Sequence, residues 1–332
     1  MNFAIIGHGK MGRLREKVII EANLGHVIHV CDVENPDRMA DFTKDFRDIF
    51  NDPSVDAVII ATPNYLIKDL VVKTLDSGKH VFAEKPPGIS VSEVKEMIAA
   101  EERNPGLKLK FGFNHRCHDS IMMAKKQIDS GEFGKILWMR SRYGKSVDES
   151  FKNNWRSDKK KAGNGILMDQ GIHMLDLLMM LSGGFDGVKS YCSNLYWNLD
   201  IEDNVFALLK NKSTGVVASL HSTMTQWRHL FSLEIFLERG YMVVNGLLTS
   251  SGTYTNGDGK EILTISKKRS KPPLATHPEE ERFSFSVDNS WKIEIEDFIE
   301  DIKNNTPVNS GNTKDALELM TLVEMIYENG MN

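Results

Sequence analysis

Short apolar runs alternate with helical patterns over the first third of the chain, and this alternation is typical of parallel βαβ units. The predicted strands cover residues 3–6, 26–31, 55–61, 79–82 and 108–112. The predicted helices include residues 66–77, which end at Gly78, and residues 92–103, which Ser90 or Ser92 can cap. The run at 55–61 is almost wholly apolar, which indicates a strand buried on both faces. The pattern therefore predicts an α/β domain with a parallel sheet over residues 1–113.

The pattern changes after Asn114, where extended segments begin to outnumber helical ones. Strands are predicted at residues 135–142, 188–196, 205–209, 216–224, 230–237, 241–245, 262–266 and 283–287, and helices at 120–130, 165–181, 291–304 and 313–329. Hairpin-like turns at 238–240 and 256–259 favour antiparallel pairing. Residues 114–332 are thus predicted to form an α+β domain with a large, mostly antiparallel open sheet. Its C-terminal helices can pack back on the first domain.

The composition limits the classes of partner and the cellular compartment that we expect for this protein. The formal net charge is −5, so no general field draws the chain to nucleic acid or to anionic lipid. The longest apolar stretch, residues 174–181, contains Asp176 and is too short to span a bilayer. Three well-separated cysteines, Cys31, Cys117 and Cys192, indicate neither a zinc site nor a disulfide framework. We expect a cytoplasmic protein without a nucleic-acid or membrane partner, and we interpret the basic stretch 267–271 as a loop.

A glycine-rich turn follows the first strand and opens a helix. It reads Gly7-His8-Gly9-Lys10-Met11-Gly12, which matches G-x-G-x-x-G. In such a turn the glycines allow a tight bend, close approach of a pyrophosphate, and contact between helix and strand. Asp32 ends the second strand at the expected interval, where an acid binds the ribose hydroxyls of NAD and repels the 2′-phosphate of NADP. The turn and the acid predict a Rossmann fold that binds NAD. Two alternatives stay open: Arg38 could accommodate NADP, or the glycine turn could belong to a Rossmann-like domain that binds no dinucleotide.

Several later segments carry a second set of signals. They are Ala61-Thr62-Pro63-Asn64, Gly78-Lys79-His80-Val81-Phe82-Ala83-Glu84-Lys85-Pro86, Gly112-Phe113-Asn114-His115-Arg116, the pair Trp155-Arg156, and Gly165-Ile166-Leu167-Met168-Asp169-Gln170-Gly171-Ile172-His173-Met174-Leu175-Asp176. In this order they resemble the Gfo/Idh/MocA oxidoreductases, the glucose-fructose oxidoreductase and inositol dehydrogenase family. The resemblance extends from the first strand to the helix predicted at 165–181.

The resemblance implies a set of cofactor contacts beyond the glycine turn: Thr62, Pro63, Asn64, Glu84, Lys85, Asn114, Trp155 and Arg156. It also implies that Lys85, after the fourth strand, lies beside the nicotinamide and hydrogen-bonds the reacting hydroxyl. Without the resemblance, Lys85 would be interpreted as a surface lysine before the turn at Pro86-Pro87. Trp155 and Arg156 would contact either the cofactor or the substrate, since Arg156 offers a planar fork to a phosphate or a carboxylate.

Asp169 and His173 are four residues apart, so on a helix they share one face. The resemblance implies that His173 is the general acid/base, a role that suits the ordinary pKa of histidine, and that Asp169 orients the imidazole or binds a neighbouring hydroxyl. The alternatives are a buried structural histidine or a metal site, and we expect no metal. Many family members carry three glycines before this helix, whereas this chain has Ala162-Gly163-Asn164-Gly165, which leaves the loop geometry open.

The expected reaction is hydride transfer between C4 of the nicotinamide and a hydroxyl-bearing carbon of a sugar, a polyol or a nucleotide-linked sugar. Lys85 and His173 would handle the hydroxyl proton. Two other functions stay open: a regulatory protein that binds NAD without turnover, and an NAD-dependent glycosidase with transient redox. The family also implies a homodimer or homotetramer built on the open sheet. His221, Gln226, Trp227 and His229 would line either the substrate pocket or, more simply, the subunit interface.

Overall fold

A computed structural model describes residues 1–35, 41–249, 259–267 and 279–330. The chain separates into two compact units. The first unit comprises Met1–Asn114, Lys160–Gly163 and Trp291–Thr321, and the second comprises His115–Lys159, Asn164–Ser290 and Leu322–Asn332. Arg38, most of the turn at 256–259 and most of the basic stretch at 267–271 lie outside the described residues.

Parallel strands and helices alternate in the first unit. Its elements are β1 (Asn2–Ile6), α1 (Lys10–Glu21), β2 (His26–Cys31), β3 (Phe42–Thr43), α2 (Phe46–Asn51), β4 (Ala57–Ile60), α3 (Asn64–Asp76), β5 (His80–Glu84), α4 (Val91–Arg103) and β6 (Leu109–Gly112). All paired strands are parallel and follow the order β3-β2-β1-β4-β5-β6. This is the order of a doubly wound nucleotide-binding sheet, so the predicted Rossmann fold is confirmed.

A mostly antiparallel sheet dominates the second unit. The remaining elements in chain order are α5 (Asp119–Asp129), β7 (Ile136–Ser146), α6 (Lys159–Ala162), α7 (Ile172–Ser182), β8 (Gly187–Ser193), β9 (Asn204–Lys210), β10 (Val217–Thr223), β11 (Thr225–Leu237), β12 (Gly240–Asn245), β13 (Glu261–Lys267), β14 (Glu281–Phe285), α8 (Ser290–Lys303) and α9 (Thr313–Gly330). The sheet runs β14-β13-β12-β11-β7-β10-β9-β8. Only β7 and β10 pair in parallel among these strands, which confirms the predicted second sheet.

The core of the first unit is built by strand alternation. Phe3 and Ile5 on β1, Ile59 on β4 and Phe82 on β5 point to one face and are fully buried. Residues of α8 close this face, since Phe298 lies edge-on to Phe82 with ring centroids 5.6 Å apart. Helix α8 therefore packs within the first unit although it follows the second sheet in sequence.

Three differences from the predicted elements affect the site. Strand β7 continues to Ser146 instead of ending at 142, and β11 begins at Thr225 instead of 230. The predicted helix at 165–181 begins as a π-helical turn, Leu167–Gly171, before α7. Such wider turns in helices are frequent at functional sites. No helix among the described residues is both long and apolar enough to cross a membrane.

Candidate functional site

The candidate residues of the first unit follow the strands of its parallel sheet. Gly7 follows β1, Asp32 follows β2, Thr62 lies just after β4, Lys85 follows β5, and Asn114 lies just after β6. Because the carboxyl ends of parallel strands share one edge of the sheet, these residues lie along that edge. Open α/β sheets bind their ligands at this edge.

The glycine turn has the shape that a pyrophosphate requires. Gly7 has φ +93°, and a Cβ there would lie 2.6 Å from the carbonyl oxygen of Ala61. A Cβ on Gly12 would collide with the carbonyl oxygen of Gly7, so only glycine lets α1 start this close to the turn. A Cβ on Gly9 would meet none of the described atoms within 4 Å. Gly9 therefore presents bare backbone to open space, where a phosphate can approach the start of α1.

Asp32 is fixed by the same turn. Its carboxylate accepts hydrogen bonds from the backbone N–H of His8 at 2.5 Å and of Val33 at 2.6 Å. Lys10 is exposed and Met11 half-buried in the first turn of α1. The turn and the acid are thus held together, as a dinucleotide fold needs them to be, and these residues fit an NAD cofactor.

Two predicted cofactor residues have structural partners within the first unit. Asn64 is buried and donates from Nδ2 to the carbonyl oxygen of Ala162 at 2.8 Å. The carboxylate of Glu84 is buried and accepts from Nε of Arg15 at 2.8 Å. Their roles toward a cofactor stay predictions, as do those of Thr62, Pro63 and Asn114. The next residue, Lys85, is half-buried.

Arg15 is a buried cation that sequence reasoning did not find. Its side chain is fully buried, and Nη2 donates to Oε2 of Glu294 at 2.6 Å while Nε binds Glu84. The guanidinium also lies over the rings of Phe82 and Trp291, at 4.4 and 4.7 Å from their centroids. Burial raises the pKa of Glu294, against the lowering effect of Arg15. This cluster anchors the strand end that carries Lys85.

Two stacked imidazoles lie in the second unit. The rings of His115 and His173 are parallel within 11°, with centroids 3.8 Å apart, and both are buried. Nε2 of His115 and the hydroxyl of Tyr143 are hydrogen-bonded at 2.9 Å. His115 belongs to a segment that resembles the family, but no motif in that segment indicates a contact with His173. Stacking on the ring of His115 fixes the plane of the His173 imidazole, the candidate acid/base.

The carboxylate of Asp169 lies between two cations. It forms ion pairs with Lys145 and with Nε of Arg156, the latter at 3.4 Å. Lys145 lies on the part of β7 that the sequence did not predict, where it continues the inward-facing series of Ser141 and Tyr143. The structure thus brings Asp169 and Arg156 together and adds a lysine to them.

Asp176, on the same helix, pairs with Arg116. Two hydrogen bonds join the aspartate to the guanidinium, from Nε at 2.8 Å and from Nη2 at 2.5 Å. Asp176 is almost fully buried, and Arg116 is mostly so. This two-pronged pair ties α7 to the segment that carries His115.

Glu202 holds the start of the helix that carries Asp169 and His173. Its buried carboxylate accepts from the backbone N–H of Gly165 at 2.8 Å and of Leu167 at 3.0 Å, and from the hydroxyl of Tyr327 at 2.8 Å. Burial raises the pKa of Glu202, although these hydrogen bonds act to lower it.

The loop before this helix needs glycine at only two of its positions. Gly163 has φ +90°, and a Cβ on Gly165 would collide with the carbonyl oxygen of Glu202. The chain keeps glycine at both positions. This resolves the geometry that Asn164 had left open.

The remaining polar candidates lie on β10 and β11. His221 stacks on Phe206 with ring centroids 3.9 Å apart, and burial lowers its pKa. Nδ1 of His229 accepts from the backbone N–H of Ser146 at 2.9 Å. Trp227 is 58% exposed and has a left-handed backbone, φ +59°. Gln226 lies against Gly144.

The parallel sheet with its glycine turn and acid, followed by the antiparallel sheet, defines a dinucleotide-binding protein with a Rossmann fold and a second α+β unit. Residues 1–112 match the family described as oxidoreductases with an NAD-binding Rossmann fold, and residues 121–243 match the GFO/IDH/MocA C-terminal domain. The chain belongs to the Gfo/Idh/MocA oxidoreductase family, as its motifs indicated. The prediction of an NAD-binding domain is thereby confirmed.

The chain spans only part of the length of the relatives that it matches in sequence. Levoglucosan dehydrogenase of Pseudarthrobacter phenanthrenivorans is 35% identical over 46% of this chain and 39% of its own. A 2,7-anhydro-N-acetylneuraminate hydratase of Mediterraneibacter gnavus is 30% identical over 63% of this chain and 61% of its own. The solved structure of levoglucosan dehydrogenase with NADH covers 100% of this chain and 97% of its own, with TM-score 0.86 and 22% identity. That last likeness establishes a shared fold.

Proposed function

We propose that this protein is an NAD-dependent dehydrogenase that transfers a hydride between C4 of the nicotinamide and a hydroxyl-bearing carbon of a sugar or polyol. One observation carries the proposal: a dinucleotide turn with its acid in the first unit and a buried imidazole with an ion-paired carboxylate in the second, in a chain of this family. Relatives named for levoglucosan and for 2,7-anhydro-N-acetylneuraminate favour a cyclic sugar, and a nucleotide-linked sugar is a further candidate.

Each part of the chain has a distinct task in this reaction. When bound, NAD supplies the hydride acceptor. The turn from Gly7 to Gly12 and Asp32 bind and orient it, with Lys85 close to the reacting hydroxyl. His173 takes up or returns the hydroxyl proton in the plane set by His115, and Asp169 binds a neighbouring hydroxyl. The buried walls around His115 and Tyr143 exclude water from the imidazole.

The direct test is a panel of sugars, anhydrosugars, inositols and nucleotide sugars, followed by absorbance of reduced nicotinamide. We expect NADH from at least one neutral or acidic sugar of the panel. A regulatory NAD-binding protein would bind NAD and give no turnover with any of them. An NAD-dependent glycosidase would instead release sugar from a glycoside while net NADH stays at zero.

Asp32 sets the choice between NAD and NADP. Asp32→Asn keeps one oxygen that can accept from the backbone N–H of His8, loses the second acceptor, which binds Val33, and removes the charge that repels a 2′-phosphate. We expect NAD affinity to fall about 10-fold or more, the value of a charged hydrogen bond, and the ratio of NADP to NAD affinity to rise. Titration with NADH and NADPH, whose reduced nicotinamide fluoresces, measures both constants. Glu34→Gln, an exposed neighbour, is the control, and an unchanged ratio in Asp32→Asn would remove Asp32 from cofactor selection.

The open face of the second sheet supports a homodimer or homotetramer. The cross-strand row Tyr191, Phe206 and His221 lies on one face, and the side chains of Tyr191 and Phe206 are 77% and 51% exposed. Trp138 and Phe236 stack on the same face with ring centroids 4.1 Å apart. Large exposed apolar faces are typical of subunit interfaces. Sedimentation velocity would contradict this proposal by showing monomer alone at micromolar concentration.

A further inference from the structure

The cluster around Asp169 contains more positive than negative charge. Lys145 and Arg156 both form ion pairs with this one carboxylate, and Lys145 is 12% exposed while Arg156 is 36% exposed. Within the described part of the chain, Asp169 is the only carboxylate that either cation contacts. Two acids close to Lys145 in sequence have other partners, since Glu149 pairs with Lys152 at 2.7 Å and Asp148 accepts from Ser150. One positive charge is therefore left over at a half-buried site.

Aromatic rings cover one side of each cation. Nζ of Lys145 lies 5.1 Å from the ring centroid of Phe151, and the guanidinium carbon of Arg156 lies 4.3 Å from that of Trp155. These contacts hold the side chains in place and remove water from one face. A cation that has lost part of its hydration gains more from a bound anion than one in open solvent.

The two terminal Nη atoms of Arg156 are not used in its ion pair with Asp169. The ion pair with Asp169 uses Nε, and neither Nη atom donates a hydrogen bond to any of the described residues. The two Nη atoms form the edge that binds carboxylate or phosphate oxygens with two parallel hydrogen bonds.

We propose that Lys145 and Arg156 bind an anionic group carried by the sugar substrate. This inference rests on the proposed function, because Asp169 is there a residue that binds the sugar. Of the two roles left open for Arg156, a cofactor contact or a substrate contact, it selects the substrate contact. In a chain with net charge −5, this local excess of cations distinguishes a sugar acid or sugar phosphate from its neutral counterpart. A carboxylate and a phosphate both present anionic oxygens to these cations. The test therefore includes sugars that carry each of the two groups.

The experiment measures binding by calorimetry, with and without NAD⁺, so it does not depend on turnover. Two series of probes are used, one built on glucose and one on galactose. Each series contains the neutral sugar, the uronate, the 6-phosphate and the UDP-linked sugar. We expect at least one anionic probe to bind about 10-fold or more tightly than the neutral sugar, the value of one charge-assisted hydrogen bond. This preference should weaken as the salt concentration rises. A uronate preference identifies a carboxylate, and a preference for the 6-phosphate or the UDP-linked sugar identifies a phosphate.

Variants locate the effect. In Arg156→Gln and Lys145→Met we expect the preference for the anionic probe to fall about 10-fold, with Arg156→Lys intermediate because it keeps the charge and loses the fork. The NAD⁺ dissociation constant should not change in Arg156→Gln. Arg103→Gln is the matched control, since Arg103 also pairs with an aspartate, Asp76, but on the surface of the first unit.

Each result decides between the two proposals. NADH formation from neutral sugars without any preference for anionic probes would overturn the anion site and leave the dehydrogenase standing. Tight binding of a uronate that Arg156→Gln abolishes, without NADH from any panel member, would keep the site and remove the dehydrogenase. If Arg156→Gln weakens NAD⁺ as much as it weakens the sugar acid, Arg156 binds the cofactor and the inference fails.

Discussion

Replacing Lys85 by methionine is expected to reduce kcat by about 10²- to 10⁴-fold, the range for loss of a positioned proton-transfer group. Methionine keeps most of the volume and removes the ammonium group at the carboxyl end of β5. NAD affinity should stay close to that of the unchanged protein, because the glycine turn and Asp32 lie after other strands. Stopped-flow absorbance with the best substrate of the panel, beside a fluorescence titration with NAD, separates the two effects.

Lys95→Met is the matched control for this change. Lys95 lies on α4, is exposed, and has the same charge, so its loss should leave kcat unaltered. Turnover retained in Lys85→Met would exclude this lysine from the proton transfer. Equal losses of NAD affinity and turnover would instead assign Lys85 to cofactor binding alone.

Most of the fold could be predicted because its strands are buried and short. A run such as Ala57–Ile60 has no polar position, and parallel pairing between β1, β4 and β5 follows from that burial. The elements that the sequence does not predict lack such an apolar run. Strand β3 has two residues and α2 has six, which is too short for a hydrophobic period to show.

The candidate site could be predicted only where a residue acts through a local motif. Gly7, Gly12 and Asp32 obey fixed spacings along one βαβ unit, and the structure holds them together. Lys145 on β7 and Glu202 in the loop before β9 reach the helix of Asp169, and Tyr143 on β7 reaches His115. These contacts depend on how distant segments are brought together in the fold. No spacing along the chain indicates a contact of that kind.

The largest loss of stability is expected from Arg15→Met. The change leaves Glu84 and Glu294 buried without their cation, and breaking a buried ion pair in this way costs about 3 to 5 kcal/mol. A loss of that size lowers the melting temperature by on the order of 10 °C. Lys17→Met on the same helix is the control, because Lys17 is exposed and pairs weakly with Glu21 at 3.8 Å; it should cost less than about 0.5 kcal/mol.

The dependence of this loss on pH identifies its cause. Burial already raises the pKa of Glu294, and removing Arg15 removes the larger of the two charges that oppose the rise, since Lys110 also lowers this pKa. A carboxyl whose folded-state pKa is raised contributes stability below its unfolded value, about 4.3, and loses that contribution as pH increases through the folded value. Arg15→Met should therefore lose less stability at pH 5 than at pH 8 in thermal unfolding. The double variant Arg15→Met with Glu294→Leu should recover part of the loss at pH 8, because it removes one of the two unpaired carboxyls. A loss that is equal at both pH values and unrelieved in the double variant would mean that the packing of Arg15 against Phe82 and Trp291, and not its charge, stabilises this unit.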